Sequence, residues 1–227
     1  MITLNQAIGK DCPNWPEEVR KIHKRLMEIG KIPCYEFPGN MDDTIQNGII
    51  EVQKHFMRNP DGVINVGGRT LDFINNWKIK PIDAKVKFIG RLKEAWDLVN
   101  PLLPDESYCA SGYRSAADQR RILHDFFQNQ YRDKIINKYG QKVYDQIKSD
   151  LLKNENKVLE MVRGVGQQIA APGSSKHQIG KAIDIGGPSN IDKKQVDIVK
   201  LVAKAHPDLF SGKVLLERNG CVHFEII

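Results

Sequence analysis

Around residue 180 the chain reads Ser175-Lys176-His177-Gln178-Ile179-Gly180-Lys181-Ala182-Ile183-Asp184, an imidazole and a carboxylate seven residues apart across a glycine. Both groups are zinc donors, and a site with three protein ligands keeps its fourth tetrahedral position open for water. His223, near the end of the sequence on an expected strand, supplies a third donor if that strand pairs with one over Ala182–Ile185. One zinc ion held this way would lower the pKa of a bound water from 15.7 to about 7 and polarise a carbonyl, which is hydrolytic chemistry. Taken singly each residue has a plainer reading: a surface histidine, an aspartate capping a turn, a histidine packed in a terminal strand.

Three distant residues meet only if the elements carrying them pack together. The short apolar run Ala182-Ile183-Asp184-Ile185 predicts a buried strand. Lys213–Glu217 and Cys221–Ile226 read as a hairpin around Arg218-Asn219-Gly220. Tyr108–Tyr113 is strand-like. Helices are expected from about Val86 to Val99, over Ala116–Asn129 with Ile122, Leu123, Phe126 and Phe127 inward, and over Lys193–His206, with a polar helical excursion from about Tyr131 to Arg163. The class is α+β, a small antiparallel sheet with flanking helices.

Upstream, Asn14-Trp15-Pro16-Glu17-Glu18 signals a helix start, with Asn14 as cap and Gly30 as stop. Two further helices follow, over about Asp43–His55 and Arg69–Trp77, separated by the turn-forming Asn59-Pro60-Asp61-Gly62. Pro81 and the charges of Lys78–Asp83 interrupt the periodicity and mark a linker. The expected organisation is a three-helix domain over 1–80 and a larger domain over 84–227.

Two resemblances follow from these residues. Ser175, His177, Gly180, Ala182 and Asp184 match the SxHxxGxAxD signature of the zinc D-alanyl-D-alanine carboxypeptidase and L-alanyl-D-glutamate endopeptidase family, which shares its fold with the hedgehog signalling domain. Ser111-Gly112-Tyr113-Arg114-Ser115 with Gln119 matches its SGYRSxxxQ element, and Val222-His223-Phe224-Glu225 resembles its terminal WHxE strand. Over about 14–78, Thr44, Val52-Gln53-Lys54-His55-Phe56, Asp61-Gly62-Val63, Gly67-Gly68, Thr70 and Leu71 resemble the peptidoglycan-binding domain of cell-wall hydrolases, with an altered Gly-Leu step.

The first resemblance implies zinc ligands at His177, Asp184 and His223. It gives Arg114 a role toward a peptide carboxylate or a developing oxyanion, for which a permanently charged fork is suited, although an ion pair with a nearby aspartate is the structural alternative. Ser175 and Gln119 would contribute hydrogen bonds to substrate or to the ligands. Many relatives carry a glutamate three residues before the last ligand, where this chain has Gly220. Glycine cannot move a proton, so the candidate bases are Glu217 and Glu225. Hedgehog-type domains carry a glutamate six residues before the last histidine, which favours Glu217. A three-residue turn over 218–220 would pair Glu217 with Cys221 and set it on the face of His223, whereas a two-residue turn would set it on the opposite face. Glu225 shares the His223 face in either case and is the alternative base or an orienting partner.

Composition bounds the rest. The sequence has 227 residues, 34 Lys+Arg against 28 Asp+Glu and a net charge of +6. The basic excess is spread along the chain without a cluster interleaved with aromatics, so a nucleic-acid partner is not expected. No apolar run nears the ~20 residues that span a bilayer, so stable membrane insertion is not expected. Cys12, Cys34, Cys109 and Cys221 form no CxxC pair and read as thiols, with Cys12–Cys34 the one pairing the layout suggests.

The combined expectation is a monomeric, endolysin-like zinc peptidase cutting an amide bond in the peptide stem or cross-link of peptidoglycan. The start lacks signal-peptide features, which suggests release by phage lysis or export by a secretion machine onto the wall or periplasmic peptidoglycan. Two alternatives stand beside it: a D-alanyl-D-alanine carboxypeptidase, and a zinc-containing wall-binding protein without turnover.

Overall fold

The structure, a computed structural model, describes residues 1–217 and 220–227. The N-terminal part holds α1 (Pro16–Glu28), α2 (Asp43–Gln53) and α3 (Arg69–Asn76), with a two-stranded ribbon of β1 (Ile8–Gly9) and β2 (Val63–Ile64). Pro16 opens α1, and Gly30 closes it at φ 68°. Asn14 is not the cap: at φ 54° its side chain accepts from Gly9 N and donates to Gly9 O, both at 2.8 Å, tying the preceding loop. The ribbon gives no sequence signal because each strand has two residues. Gln53, 1 % exposed, ties the module together by donating to Asp61, Val63 O and Thr70 and accepting from Gly62 N.

The expected linker is docked. Lys80 is buried, Cys109 N donates to Pro81 O, and Asp83 N donates to Cys109 O, both at 3.0 Å. The expected helix from Val86 starts only at α4 (Leu92–Val99), because Gly90 adopts φ 54° and breaks the turn before it. Next come β3 (Tyr108–Ser111) and α5 (Ala116–Asp125), which a π-helical turn over Phe126–Gln130 extends. The polar excursion resolves into α6 (Arg132–Tyr139), α7 (Gln141–Lys148) and α8 (Glu155–Gly164). With α5 they enclose their own apolar cluster of Leu123, Phe127, Ile135, Tyr144, Val158 and Val162.

The chain then forms β4 (Ala182–Gly186), α9 (Asp192–Ala205), β5 (Phe210–Leu216) and β6 (Val222–Ile226). The antiparallel sheet has the order β3-β4-β6-β5. Side chains alternate across it. Ile183, Ile185, Val222, Phe224 and Ile226 join α4 and α9 in the main core, which is continuous with the apolar residues of α1 to α3. Asp184, His223 and Glu225 point to the other face. The fold is α+β with helices flanking a small antiparallel sheet. No helix among the described residues is long and apolar enough to cross a membrane.

Candidate active site and metal centre

Pairing of β4 with β6 sets Asp184 opposite His223, and the loop before β4 brings in His177. All three are more than nine-tenths buried, and their donor atoms lie within 4.8 Å of one another. His223 Nδ1 lies 2.9 Å from Asp184 Oδ1, and His177 Nε2 lies 3.3 Å from the same oxygen. Ligands 2.0–2.1 Å from a tetrahedral ion stand about 3.3 Å apart, so these spacings suit a metal. Ring chemistry agrees. His177 Nδ1 meets Gly112 O at 2.7 Å, and a carbonyl only accepts, so the ring proton sits there and Nε2 keeps its lone pair for an ion. Burial works against the Asp184 charge, but the contacts of His177 and His223 and the Arg114 charge outweigh it and hold the carboxyl well below the usual range. The donor set therefore fits a divalent ion such as zinc, and Cys221 is not part of it among the described residues.

Arg114 lies against the donor set. Its Nη2 meets Asp184 Oδ2 at 2.7 Å and its Nε donates to Ser111 Oγ at 2.7 Å, so the nearby aspartate considered as its ion-pair partner is the metal-binding candidate itself. The SGYRSxxxQ element folds as one device. Ser111 holds the Arg114 fork, Ser115 and Asp118 form a capping box that starts α5, and Gln119 follows one turn later. Gln119 Nε2 donates to Ala170 O at 3.1 Å, while its buried Oε1 has no partner among the described residues. Ser175 Oγ accepts from His177 N at 3.3 Å. Gln178, which the sequence reading passed over, accepts from both Gly173 N and Ser175 N and shapes the loop that presents His177.

The two candidate bases separate. Glu217 N donates to Cys221 O at 2.8 Å, one step beyond the Leu216–Val222 pair, so Glu217 falls on the His223 face. Of the expected turn, Arg218 and Asn219 lie outside the described residues. Glu217 Oε1 is 3.9 Å from His223 Nδ1, the side of the ring that faces Asp184. Glu225 Oε1 is 3.5 Å from Nε2, the far side, and accepts from Lys213 Nζ at 2.6 Å. Burial raises the Glu225 pKa, but Lys213 outweighs it and keeps the group ionised. On His223 burial acts downward, and the Asp184 bond with the Asp184 and Glu217 charges overcomes it to raise its pKa. Lys213 carried a legible signal, since it lies on the strand facing Glu225 in a hairpin of this register. Cys221 is pushed up to about 11 by burial first and by the Asp184 and Glu217 charges, so it stays a thiol at neutral pH. None of the four cysteines is in a disulfide, Cys12 and Cys34 included.

Arg114, Ser175, His177, Glu217, His223 and Glu225 line a cleft of about 440 Å³. Ile122, Phe126 and the segment 167–170 line it as well, and Lys176 and Lys213 add positive charge beside Arg114. A buried His/Asp cluster able to hold a metal, with the Glu217 carboxylate beside it, lies on an α+β frame. Residues 105–208 match the family model of D-alanyl-D-alanine carboxypeptidase (VanY), so this segment is similar to that family of peptidoglycan peptidases. The matched segment includes Arg114, Gln119, Ser175, His177 and Asp184 and ends before Glu217, His223 and Glu225. No curated protein and no solved structure matches the chain significantly.

Proposed function

We propose that this protein is a zinc-dependent, endolysin-like peptidoglycan peptidase that cuts an amide bond in the peptide stem or cross-link. The observation that carries the reading is the meeting of His177, Asp184 and His223 beside a cleft with Glu217 on the side of the His223 ring that faces Asp184. The three residues would hold the ion, which supplies Lewis acidity toward a water and a carbonyl. Glu217, 42 % exposed in its side chain, takes the proton of the attacking water and returns it to the leaving amine. Arg114 Nη1, which makes no hydrogen bond among the described residues, faces substrate carboxylate or oxyanion while Nη2 fixes Asp184. Gln119 and Ser175 are the neighbouring substrate contacts. Residues 1–80 act as a peptidoglycan-binding module that raises the local substrate concentration, with 84–227 as the catalytic domain. The chain works as a monomer on wall or periplasmic peptidoglycan, delivered by phage lysis or by a secretion machine.

The decisive experiment is mass spectrometry of peptidoglycan digested by the zinc-loaded protein beside His177→Ala and Glu217→Gln. New amino termini within stems or cross-links, produced by wild type alone, support the endopeptidase. Loss of a single alanine would replace it with the carboxypeptidase reading, which the cationic Arg114 beside the cleft favours. Intact muropeptides throughout would leave a wall-binding protein.

A further inference from the structure

The segment between the N-terminal helices and α4 does more than connect. Residues 81–90 run along the outer edge of β3, where Ile82 bridges Cys109 and Lys87 bridges Tyr113. Tyr113 N donates to Lys87 O at 2.7 Å, and the carbonyl of that same peptide group, Gly112 O, accepts from His177 Nδ1 at 2.7 Å. One peptide plane is thus held by the segment on one side and holds the imidazole on the other. Turning the plane to break the first bond swings the carbonyl away from the ring. A second contact lies at the other end of the His177 loop, where a Cβ on Gly180 would come within 2.6 Å of Ile89 Cγ1. A Cβ on Gly112 would come within 2.6 Å of Lys87 O. Both glycines therefore sit where the segment presses closest.

We infer that residues 81–90 form a positioning strap for His177: the Lys87 carbonyl sets the Gly112–Tyr113 peptide, and Ile89 holds the loop at Gly180, so that Nε2 of His177 stays aimed at Asp184. The strap acts through other groups, so Lys87 and Ile89 are positioning residues. The hydrogen bond that Tyr113 N–H donates to Lys87 O also polarises the Gly112 carbonyl and strengthens its grip on Nδ1–H. The metal part of this inference rests on the reading given under Proposed function.

The test uses the full chain and two variants, Gly112→Ala, which wedges the strap away from the peptide, and Ile89→Ala, which removes the contact at Gly180. Ile89→Val serves as the conservative rescue. The first readout is metal-free: the exchange rate of the His177 Nδ1–H proton in imidazole-resolved NMR. The second is zinc affinity by competition with a chromophoric chelator. We expect faster Nδ1–H exchange and a 10–100-fold loss of zinc affinity in both variants, with Ile89→Val near wild type and the circular dichroism of all three native. Unchanged exchange and unchanged affinity in both variants would overturn the strap. If the wild type takes up no zinc while Nδ1–H exchange still accelerates in the variants, the strap stands and the metal reading falls. Should Gly112→Ala not fold, Ile89→Ala decides by the same two measurements.

Discussion

Glu217 and Glu225 occupy one face of one hairpin yet stand beside different nitrogens of the His223 ring, and the proposed function gives them different work. In the proposed reaction the carboxylate near Nδ1 would take the proton of the attacking water. In the same proposal the carboxylate behind Nε2 would orient the ring. Glu217→Gln is therefore expected to cost about 10²–10⁴-fold in turnover with zinc affinity unchanged. Glu225→Gln should lower zinc affinity about 10–100-fold before it touches the chemistry. Muropeptide turnover and chelator competition on both variants separate the roles, and a reversed pattern would exchange them. Arg114 makes a further prediction of the same kind. A lysine reaches one partner where the fork reaches Asp184 and Ser111 together, so Arg114→Lys should fall well short of wild-type turnover, and wild-type kinetics would reduce Arg114 to a charge.

Elements show where local signals held and where they failed. Helix α2 is capped by Asp42, which accepts from Ile45 N at 2.8 Å, and it ends at Gln53, whose amide satisfies four groups of the following loop and of α3. Gln53→Leu keeps the helix and much of the volume but leaves the buried Gly62 N–H unpaired. A loss of about 1–3 kcal/mol in urea unfolding is expected, and a neutral result would mean the loop rearranges to repair itself. Gly220 adopts φ 82° in the connection that registers β5 on β6, so Gly220→Ala should cost about 1 kcal/mol, read as a lower melting temperature. The expected helix from Val86 failed because apolar periodicity says nothing about a left-handed glycine at Gly90. Likewise 131–163 was legible as helical but not as three helices closing a second apolar cluster.

Across the whole molecule the N-terminal helices and the sheet domain share one apolar core, and histidines cross their junction. His55 Nδ1 donates to Leu98 O at 2.9 Å, and its Nε2 lies 3.1 Å from Lys31 Nζ, which in turn sits over Trp77. Burial pushes the His55 pKa down to about 4, opposed next by the Leu98 bond and aided by the Lys31 and His206 charges, with a small upward effect of the Glu51 charge. The unfolded chain, with an ordinary value of 6.5, binds more protons between these limits. Stability from this group is thus complete above about pH 6.5 and is lost as pH falls toward 4, to an extent of about 3 kcal/mol. Urea unfolding of wild type and His55→Gln from pH 7 to 4 should show the steeper decline in wild type, and parallel curves would remove His55 from the account.

Residue types and local patterning already indicate the chemistry available and the strands that bear it. His177, Asp184 and His223 stand out by residue type and spacing, and the alternation of β4 and β6 already puts Asp184 and His223 on the face opposite the apolar core, because a pleated strand turns alternate side chains to opposite sides. The hairpin register of Glu217 was reduced to a choice between two turn lengths. Only the tertiary structure decided that choice, separated Glu217 from Glu225 about one ring, bound Arg114 to Asp184, and laid the connecting segment along β3 beneath the His177 loop. Those outcomes depend on contacts between residues such as Lys87 and Tyr113 or Ile89 and Gly180, which are far apart in the chain and carry no local pattern, so they arise from packing and from the pairing of backbone groups between distant segments.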